Sequence, residues 1–212
     1  MIEFDPACTL CPRLAAYLAA GRERFPQYHC APVGPFGAAQ PTLVIVGLAP
    51  GFHGANASGR PFTGDHAGIL LYRTLHELGL ASGPESRAAN DGLRLIDCRI
   101  TNAVKCAPPA NKPLPAEVTT CNRYLAAELA QMPDGCVVVA LGAIAHGAVL
   151  AALGLKRSSR RFAHGAEYAL PRGLQLLDSY HCSRYNTQTR RLTAEMFRAV
   201  IGRAAALARA AH

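Results

Sequence analysis

TLVIVGLAPGFHG, residues 42–54, is the stretch of sequence that decides the fold. It joins a short, mostly apolar run to a glycine-rich loop that continues to residue 65. An apolar run of this length, ended by glycine and proline, is typical of a strand buried on both faces. Glycines after such a strand let the backbone come close to another group. The question is whether that group is a phosphate, a nucleotide cofactor or a base.

Other apolar runs extend this pattern along the chain. They predict strands, together with the first run, at 42–47, 95–104, 137–141 and 174–180. Helical patterns between strands, such as 68–80 and 116–131, indicate right-handed βαβ units. The sequence therefore predicts an α/β fold, a three-layer α/β/α sandwich around a central four-stranded parallel sheet. We expect a single domain over residues 1–212, ending in an amphipathic helix.

The loops that follow these strands carry most of the unusual residues. Ligands of open α/β sheets bind beyond the carboxyl ends of the strands, in these loops. The loops are GLAPGFHGAN, NAVKCAPPANK, LGAIAHG and SYHCSRYN, in chain order. We therefore expect one functional site at this edge of the sheet.

Composition limits the classes of protein that fit. Half of the 212 residues are apolar, 17% are charged, and the net charge is +8, which suits a folded binder of polyanions. The start of the chain lacks a basic region before an apolar core, so we expect a cytoplasmic protein. Residues 136–155 hold no charge and have the length of a membrane span. Interrupting glycines favour a buried strand, a turn and a helix instead, and no membrane association.

The glycine-rich loop does not match two common phosphate-binding motifs. A Walker-type loop needs Lys and Ser or Thr after its glycines, but Arg60 and Phe62 stand here. The G-x-G-x-x-G fingerprint is also absent, because Leu48-Ala49-Pro50 follow Gly47. An aromatic side chain in such a loop can hold a flat ring by stacking, so Phe62 is either a base platform or a core residue.

Three stretches together resemble the uracil-DNA glycosylase superfamily, and most closely its family 5, the bacterial and archaeal iron–sulfur type. They are GLAPGFHGANASGRPFTGDHAG, ITNAVKCAPPANKPLP and SYHCSRYNTQTRRLT, and a Cys8-x-x-Cys11 pair precedes them in the family's order. The resemblance implies a monofunctional DNA repair glycosylase that removes uracil, and with it hypoxanthine, xanthine or other deaminated bases. It also implies a nucleoid-associated protein, and we expect a monomer.

The resemblance assigns roles to individual residues. His181 would hydrogen-bond the charge that develops on uracil O2, and Asn102 would read the base edge with its amide. Phe62 would form the stacking floor of a pocket whose backbone comes from Gly47, Ala49 and Gly51. The implied DNA contacts are Arg184, Tyr185 and Asn186, with Tyr185 at the position of the superfamily's intercalating side chain. The basic run 156–161, Arg190 and Arg191 are further candidates for phosphate contacts.

Water delivery is the step that the sequence assigns least well. Ala49 stands where many superfamily members carry Asp or Asn. Family 5 likewise lacks Asp or Asn at this position. Asn56 and Asp65 are the candidate catalytic residues for positioning water, with backbone carbonyls of the loop as the alternative, and we rank Asn56 ahead of Asp65. Asp65 is alternatively the cap of the helix that begins near residue 67. Cys182 replaces the family's proline, from which we expect a looser loop with a thiol near DNA.

Four cysteines form the candidate metal site: Cys8, Cys11, Cys106 and Cys121. Spacing alone allows either zinc or an iron–sulfur cluster, although the gap before Cys121 is unlike a zinc ribbon. The resemblance implies a structural [4Fe–4S] cluster that fastens the N-terminal segment. Cys98 and Cys136 fall in or beside strands and are predicted core residues. Two alternatives to the enzyme stay open: a non-catalytic binder of damaged DNA, and a hydrolase of free nucleotides.

Overall fold

A computed structural model describes residues 3–211 of the chain. Its strands are β1 (Phe36–Gly37), β2 (Leu43–Gly47), β3 (Cys98–Asn102), β4 (Val137–Leu141), β5 (Glu167–Ala169) and β6 (Gln175–Ser179). Its helices are α1 (Pro12–Arg24), α2 (Ala55–Ser58), α3 (His66–Glu77), α4 (Pro115–Ala130), α5 (Ala143–Ala152), α6 (Arg184–Gln188) and α7 (Ala194–Ala210).

The strands form one sheet in the order β1-β3-β2-β4-β6-β5. The four central strands run parallel, which confirms the predicted strands, whereas β1 and β5 add antiparallel edges. The sheet is therefore mixed and six-stranded rather than four-stranded. With two and three residues, the edge strands are too short to give an alternating pattern in the sequence.

Alternate residues of the central strands bury against opposite layers of helices. Leu43 and Ile45 belong to a core cluster with residues of α3 and α7. Val44 and Val46 belong to a second cluster with residues of α1, α4 and α5. Each fully buried side chain of this kind contributes about 1.5–3 kcal/mol. The prediction of helices on both faces of the sheet is thus confirmed.

The uncharged segment 136–155 folds as strand, turn and helix. β4 ends at Leu141, Gly142 takes a positive φ of 96°, and α5 follows. Glycine adopts this left-handed backbone without a steric penalty, which explains the sharp turn. Across residues 3–211, every helix is too short or too polar to cross a membrane.

Candidate active site

The carboxyl ends of β2, β3 and β6 bring the predicted site residues together. Gly47 and Asn102 are register partners at the ends of β2 and β3, and His181 follows β6. A pocket of about 430 Å³ opens at this edge. Its lining residues are Leu48, Ala49, Gly51, Phe62, Asp65, His66, Ala67, Asn111, His181, Ser183 and Arg184.

Gly47 allows two functional side chains to lie against the backbone of β2. A Cβ atom at this position would stand 2.4 Å from Asn102 Oδ1 and 2.7 Å from Phe62 Cζ. Asn102 is only 2% exposed, and its Oδ1 has no hydrogen-bond partner within residues 3–211. A buried acceptor without a partner is costly, so its persistence indicates a site for an incoming donor.

Phe62 is both a core residue and the apolar wall of the pocket. Its φ of 58° is unusual for a bulky residue and marks local strain of the kind found at functional sites. A Cβ at Gly68 would stand 1.8 Å from the Phe62 carbonyl oxygen, so only glycine lets α3 pack this closely. The ring of Phe62 lies 5.9 Å from that of His181, and the two planes are inclined by 23°.

His181 is partly exposed to the pocket but poorly solvated. Burial lowers the pKa of its imidazole to about 4, so the ring is neutral at neutral pH. A neutral imidazole carries one N–H, which can donate to an acceptor in the pocket. The backbone beside it is fixed, because Asn186 Nδ2 donates to the His181 carbonyl at 2.8 Å.

Asp65 directs its carboxylate at the glycine-rich loop. Asp65 Oδ2 accepts a hydrogen bond from the Ala55 backbone N–H at 3.0 Å. Burial raises the pKa of the carboxyl, while backbone donors at Ala55 and Gly51 act in the opposite direction. A Cβ at Gly51 or Gly54 would stand 2.1 or 2.0 Å from Asp65 Oδ1. The glycines of this loop therefore make room for the protein's own side chains.

The two candidates for positioning water occupy different places. Asp65 lines the pocket, whereas Asn56 is fully buried and is not part of the lining. Asn56 Nδ2 donates to the Phe52 carbonyl at 3.2 Å and to Cys30 Sγ at 3.3 Å. The geometry thus ranks Asp65 ahead of Asn56. Asp65 precedes the first residue of α3, but its side chain makes no capping hydrogen bond there.

The predicted DNA contacts differ in exposure. Arg184 lines the pocket, and Tyr185 is 70% exposed beside it. Asn186 is half-buried and holds the His181 loop. The exposed basic run 156–161 borders a second groove, of about 620 Å³, together with the start of α5.

Arg190 is exposed, and Arg191 lies with its guanidinium 4.6 Å from the centre of the Tyr180 ring.

All four predicted metal-ligating cysteines line one small pocket, together with Lys105 and Tyr124. Burial and the neighbouring cysteines raise the pKa of Cys106 to about 12, and burial raises that of Cys121 to about 11. Within residues 3–211, no group of three or more His, Cys, Asp or Glu side chains is arranged to hold a metal ion. The cysteines therefore share a pocket without converging as a single-ion site.

The remaining cysteines are buried. Cys98 and Cys136 are core residues, as predicted. The expected thiol near DNA is wrong: Cys182 is fully buried in the core cluster of α3 and α7, and burial raises its pKa to about 12. Cys182, which stands in place of the family's proline, therefore packs in the core. Cys30, left without a role by the sequence, accepts the hydrogen bond from Asn56 Nδ2.

Sequence reasoning missed His66, Asn111 and Ser183 as lining residues of the pocket. Ser183 caps α6 by accepting a hydrogen bond from the Asn186 backbone N–H. Asn111 has a φ of 56°, a conformation that asparagine tolerates better than most residues. Polar residues are common in loops and at the starts of helices, such as His66 in α3, so the sequence offered no signal that distinguished these three.

Comparisons with known proteins agree with the geometry of the site. The family model described as "Uracil DNA glycosylase superfamily" matches residues 35–204. A type-5 uracil-DNA glycosylase from Thermus thermophilus is 51% identical over 207 residues, which cover 95% of this chain and 94% of that protein. The type-5 uracil-DNA glycosylase of Pyrobaculum aerophilum is 41% identical over 203 residues, covering 94% and 88%. A type-4 uracil-DNA glycosylase from Thermotoga maritima is 40% identical over 105 residues, about half of each chain.

Proposed function

The chain belongs to the uracil DNA glycosylase superfamily, and from that premise we propose how its pocket removes a base from DNA. The protein is a monofunctional DNA repair glycosylase that hydrolyses the N-glycosidic bond of uracil and leaves an abasic site. The observation that carries this function is that Phe62 and His181 line one pocket, while Asn102 lies beside Phe62 against Gly47. Other deaminated bases, such as hypoxanthine and xanthine, are further substrates.

Recognition of the flipped base follows from the two walls of the pocket. Extruding a base from the duplex requires a few kcal/mol, least for a mismatched pair such as U·G. Stacking on the Phe62 ring offsets about 1–3 kcal/mol of this. The unpartnered Oδ1 of Asn102 accepts from uracil N3–H, and the amide N–H₂ donates to a ring carbonyl.

Bond cleavage moves the glycosidic electron pair onto uracil. As the C1′–N1 bond breaks, negative charge grows on the base and positive charge on the sugar. The N–H of neutral His181 donates to uracil O2, and such a pre-aimed donor lowers the barrier by about 2.7–4 kcal/mol. Water adds to C1′, and its proton leaves to a pocket acceptor. The position of Asp65 on the pocket lining supports its carboxylate in this role.

The two lysines of the motif loops do not support a lyase reaction. Lys105 is 1% exposed and ion-paired with Glu128, so its amine is not available as a nucleophile. Lys112 is exposed and is not part of the pocket lining. Without an amine at the reacting carbon, the product is an intact abasic site.

We further propose that the four-cysteine pocket binds a [4Fe–4S] cluster, which fastens the N-terminal segment to the loop after β3. The cluster supplies a structural crosslink. Zinc and an iron–sulfur cluster both accept four thiolates, but the gap between Cys106 and Cys121 in the sequence is unlike that of a zinc ribbon. The Lys105 backbone N–H donates to Cys121 Sγ at 3.2 Å, a bond that stabilises a thiolate ligand. Iron and sulfide assays on the purified protein, with Cys8→Ser as the loss variant, test this; zinc without iron would contradict it.

Contacts to the DNA backbone come from the cationic surface around the pocket. Arg184 stands at the pocket mouth for the target strand, and exposed Tyr185 fills the space that the flipped base leaves. The basic run 156–161 contacts phosphates farther along the duplex. A monomer acting on the chromosome in the cytoplasm fits this surface.

The experiment uses a labelled duplex with one U·G pair, incubated with protein and then heated in alkali. We expect alkali-dependent strand cleavage that falls by at least 100-fold in His181→Ala. His76→Ala is the matched control, because His76 is exposed on α3, its ring bonds to the Ala81 carbonyl, and it is not part of the pocket lining.

Two other results would contradict the proposal. Tight binding to uracil, hypoxanthine and xanthine duplexes without cleavage would identify a binder of damaged DNA. Turnover of free nucleotides that competes with duplex cleavage and depends weakly on salt would identify a nucleotide hydrolase.

A further inference from the structure

Lys105 is the most deeply buried cation among the residues that the structure describes. Its side chain is 1% exposed, although lysine is almost never buried without a partner. Lys105 Nζ donates to Thr101 Oγ1 at 2.5 Å and to the Asn102 carbonyl at 2.9 Å. It also forms an ion pair with Glu128 Oε1 at 2.7 Å. Two hydrogen bonds and one ion pair thus surround the ammonium group.

These partners connect Lys105 to two separate places in the fold. Thr101 and Asn102 are the last two residues of β3, whereas Glu128 belongs to α4. The backbone of Lys105 is held at the cysteine pocket, where its N–H donates to Cys121 Sγ and its carbonyl accepts from Val33 N–H at 2.7 Å. Lys105 therefore spans from the cysteine pocket to the end of β3.

The end of β3 is where the base-reading side chain begins. Asn102 is the last strand residue, and after it the chain turns, with Ala103 N–H donating to the Gly47 carbonyl. The amide of Asn102 has an Oδ1 without a partner in the described chain, so no hydrogen bond at that atom fixes its direction. The direction of the amide depends instead on its own backbone and on packing against Gly47.

We propose that Lys105 is a positioning residue for base recognition. By binding the backbone carbonyl of Asn102, it holds the side-chain amide of Asn102 toward the edge of the flipped base. This rests on the proposed function of Asn102. Glu128 balances the charge of Lys105, which keeps a cation stable in the core. The cysteine pocket fixes the backbone from which the lysine side chain reaches Asn102.

A double-mutant cycle tests this role. Lys105→Met keeps the length of the side chain and removes the donors, and Asn102→Ala removes the amide. We expect Lys105→Met to lower the single-turnover rate on U·G duplex by about 10- to 100-fold, and to have no further effect in the Asn102→Ala background. Equal losses in both backgrounds would overturn the proposal, because a general loss of stability acts independently of Asn102.

Arg172→Met is the matched control. Arg172 binds the carbonyls of Leu129, Ala130 and Met132 at the C-terminal end of α4, and it is not part of the pocket lining. Its loss should lower the melting temperature without changing the rate below that temperature. If Lys105→Met does not fold, Glu128→Gln loosens the ammonium with a smaller change of shape, and the same non-additivity with Asn102→Ala is expected.

A spectroscopic readout separates this proposal from the proposed function. The side-chain N–H₂ signals of Asn102, identified by their loss in Asn102→Ala, should shift in Lys105→Met and stay in place in Arg172→Met. Absence of uracil release by the wild-type protein would overturn the function but leave this shift measurable. Unchanged Asn102 signals in Lys105→Met would overturn the role of Lys105.

Discussion

At the scale of single residues, the glycines of the loop lie in close contact with other side chains of the same protein. Gly47 faces Asn102 and Phe62, and Gly51 and Gly54 face Asp65. No phosphate motif is needed to explain these glycines, because side chains of the site occupy the space that a Cβ would fill. The glycine-rich pattern therefore makes room for side chains that form the walls of the pocket.

Gly47→Ala should reduce both stability and activity. Its Cβ would stand 2.4 Å from Asn102 Oδ1, so Asn102 or Phe62 must move. Overpacking of this kind costs about 1–3 kcal/mol of unfolding free energy, and a displacement of about 1 Å in a site lowers the rate on the order of 100-fold. Denaturant titration and single-turnover rates measure the two effects. Gly83→Ala, whose nearest atom would be 3.6 Å away, should change neither.

The low pKa of His181 predicts a dependence of stability on pH. The folded pKa of about 4 lies below the ordinary value of roughly 6.5, so protons bind the unfolded chain first. The free energy of unfolding is therefore unaffected by His181 above roughly pH 6.5, where the ring is neutral in both states, and it decreases as the pH falls toward 4. His181→Gln should therefore lose less unfolding free energy than the wild type between these pH values. Parallel pH profiles of the two proteins in urea would refute the assignment.

At the scale of elements, the short helix α6 is what presents His181. Five residues rarely form a stable helix alone, so local bonds must hold it. Ser183 caps the N-terminus of the helix. Asn186 connects the helix to His181, because its Nδ2 donates to the His181 carbonyl. The carbonyl of Asn186 also accepts from the N–H of buried Leu192, which anchors the end of the helix.

Asn186→Ala should loosen His181 without unfolding the protein. Loss of one hydrogen bond lowers the unfolding free energy by about 1 kcal/mol. We expect kcat to fall by about 10-fold with little change in KM, because the donor acts mainly in the transition state. Thr189→Ala, at the residue that follows α6, is the control, since Thr189 Oγ1 bonds to carbonyls of α6. Equal kinetic effects of the two variants would contradict this role of Asn186.

At the scale of the whole molecule, positive charge gathers at the edge that holds the pocket. The net charge is +8, and exposed cations near this edge include Arg157, Arg160, Arg161 and Arg184. Several other arginines pair with carboxylates, among them Arg198 with Glu77 and Arg203 with Glu167. Part of the unpaired positive charge therefore borders the two grooves, on the side from which DNA would approach.

Removing two of these cations should weaken the salt dependence of DNA binding. Each phosphate contact contributes about 0.9 to the slope of log Kobs against log salt concentration. The double variant Arg157→Gln with Arg161→Gln should thus lower the slope by about 1.8 on duplex without uracil. Arg94→Gln with Arg123→Gln removes the same charge from exposed positions outside both grooves. A similar change in slope for both pairs would show that only net charge matters.

The sequence by itself determined the four parallel strands, the helices between them and the loops that carry the site. Buried strands and amphipathic helices leave local patterns, and the loop motifs hold their residues in family order. The carboxyl ends of parallel strands meet at one edge of the sheet, which made it predictable that Asn102 and the glycine-rich loop share that edge. The direct pairing of β2 with β3 came from the tertiary structure.

Only the tertiary structure decided which side chains of those loops face the pocket. The sequence ranked Asn56 ahead of Asp65, but packing buries Asn56 and leaves Asp65 on the lining. Cys182 lies in the core, Lys105 forms an ion pair with Glu128 of α4, and the short edge strands β1 and β5 pair with β3 and β6. Each of these outcomes depends on contacts between distant segments. Such contacts leave no local periodicity, because they arise from the space that the assembled layers provide.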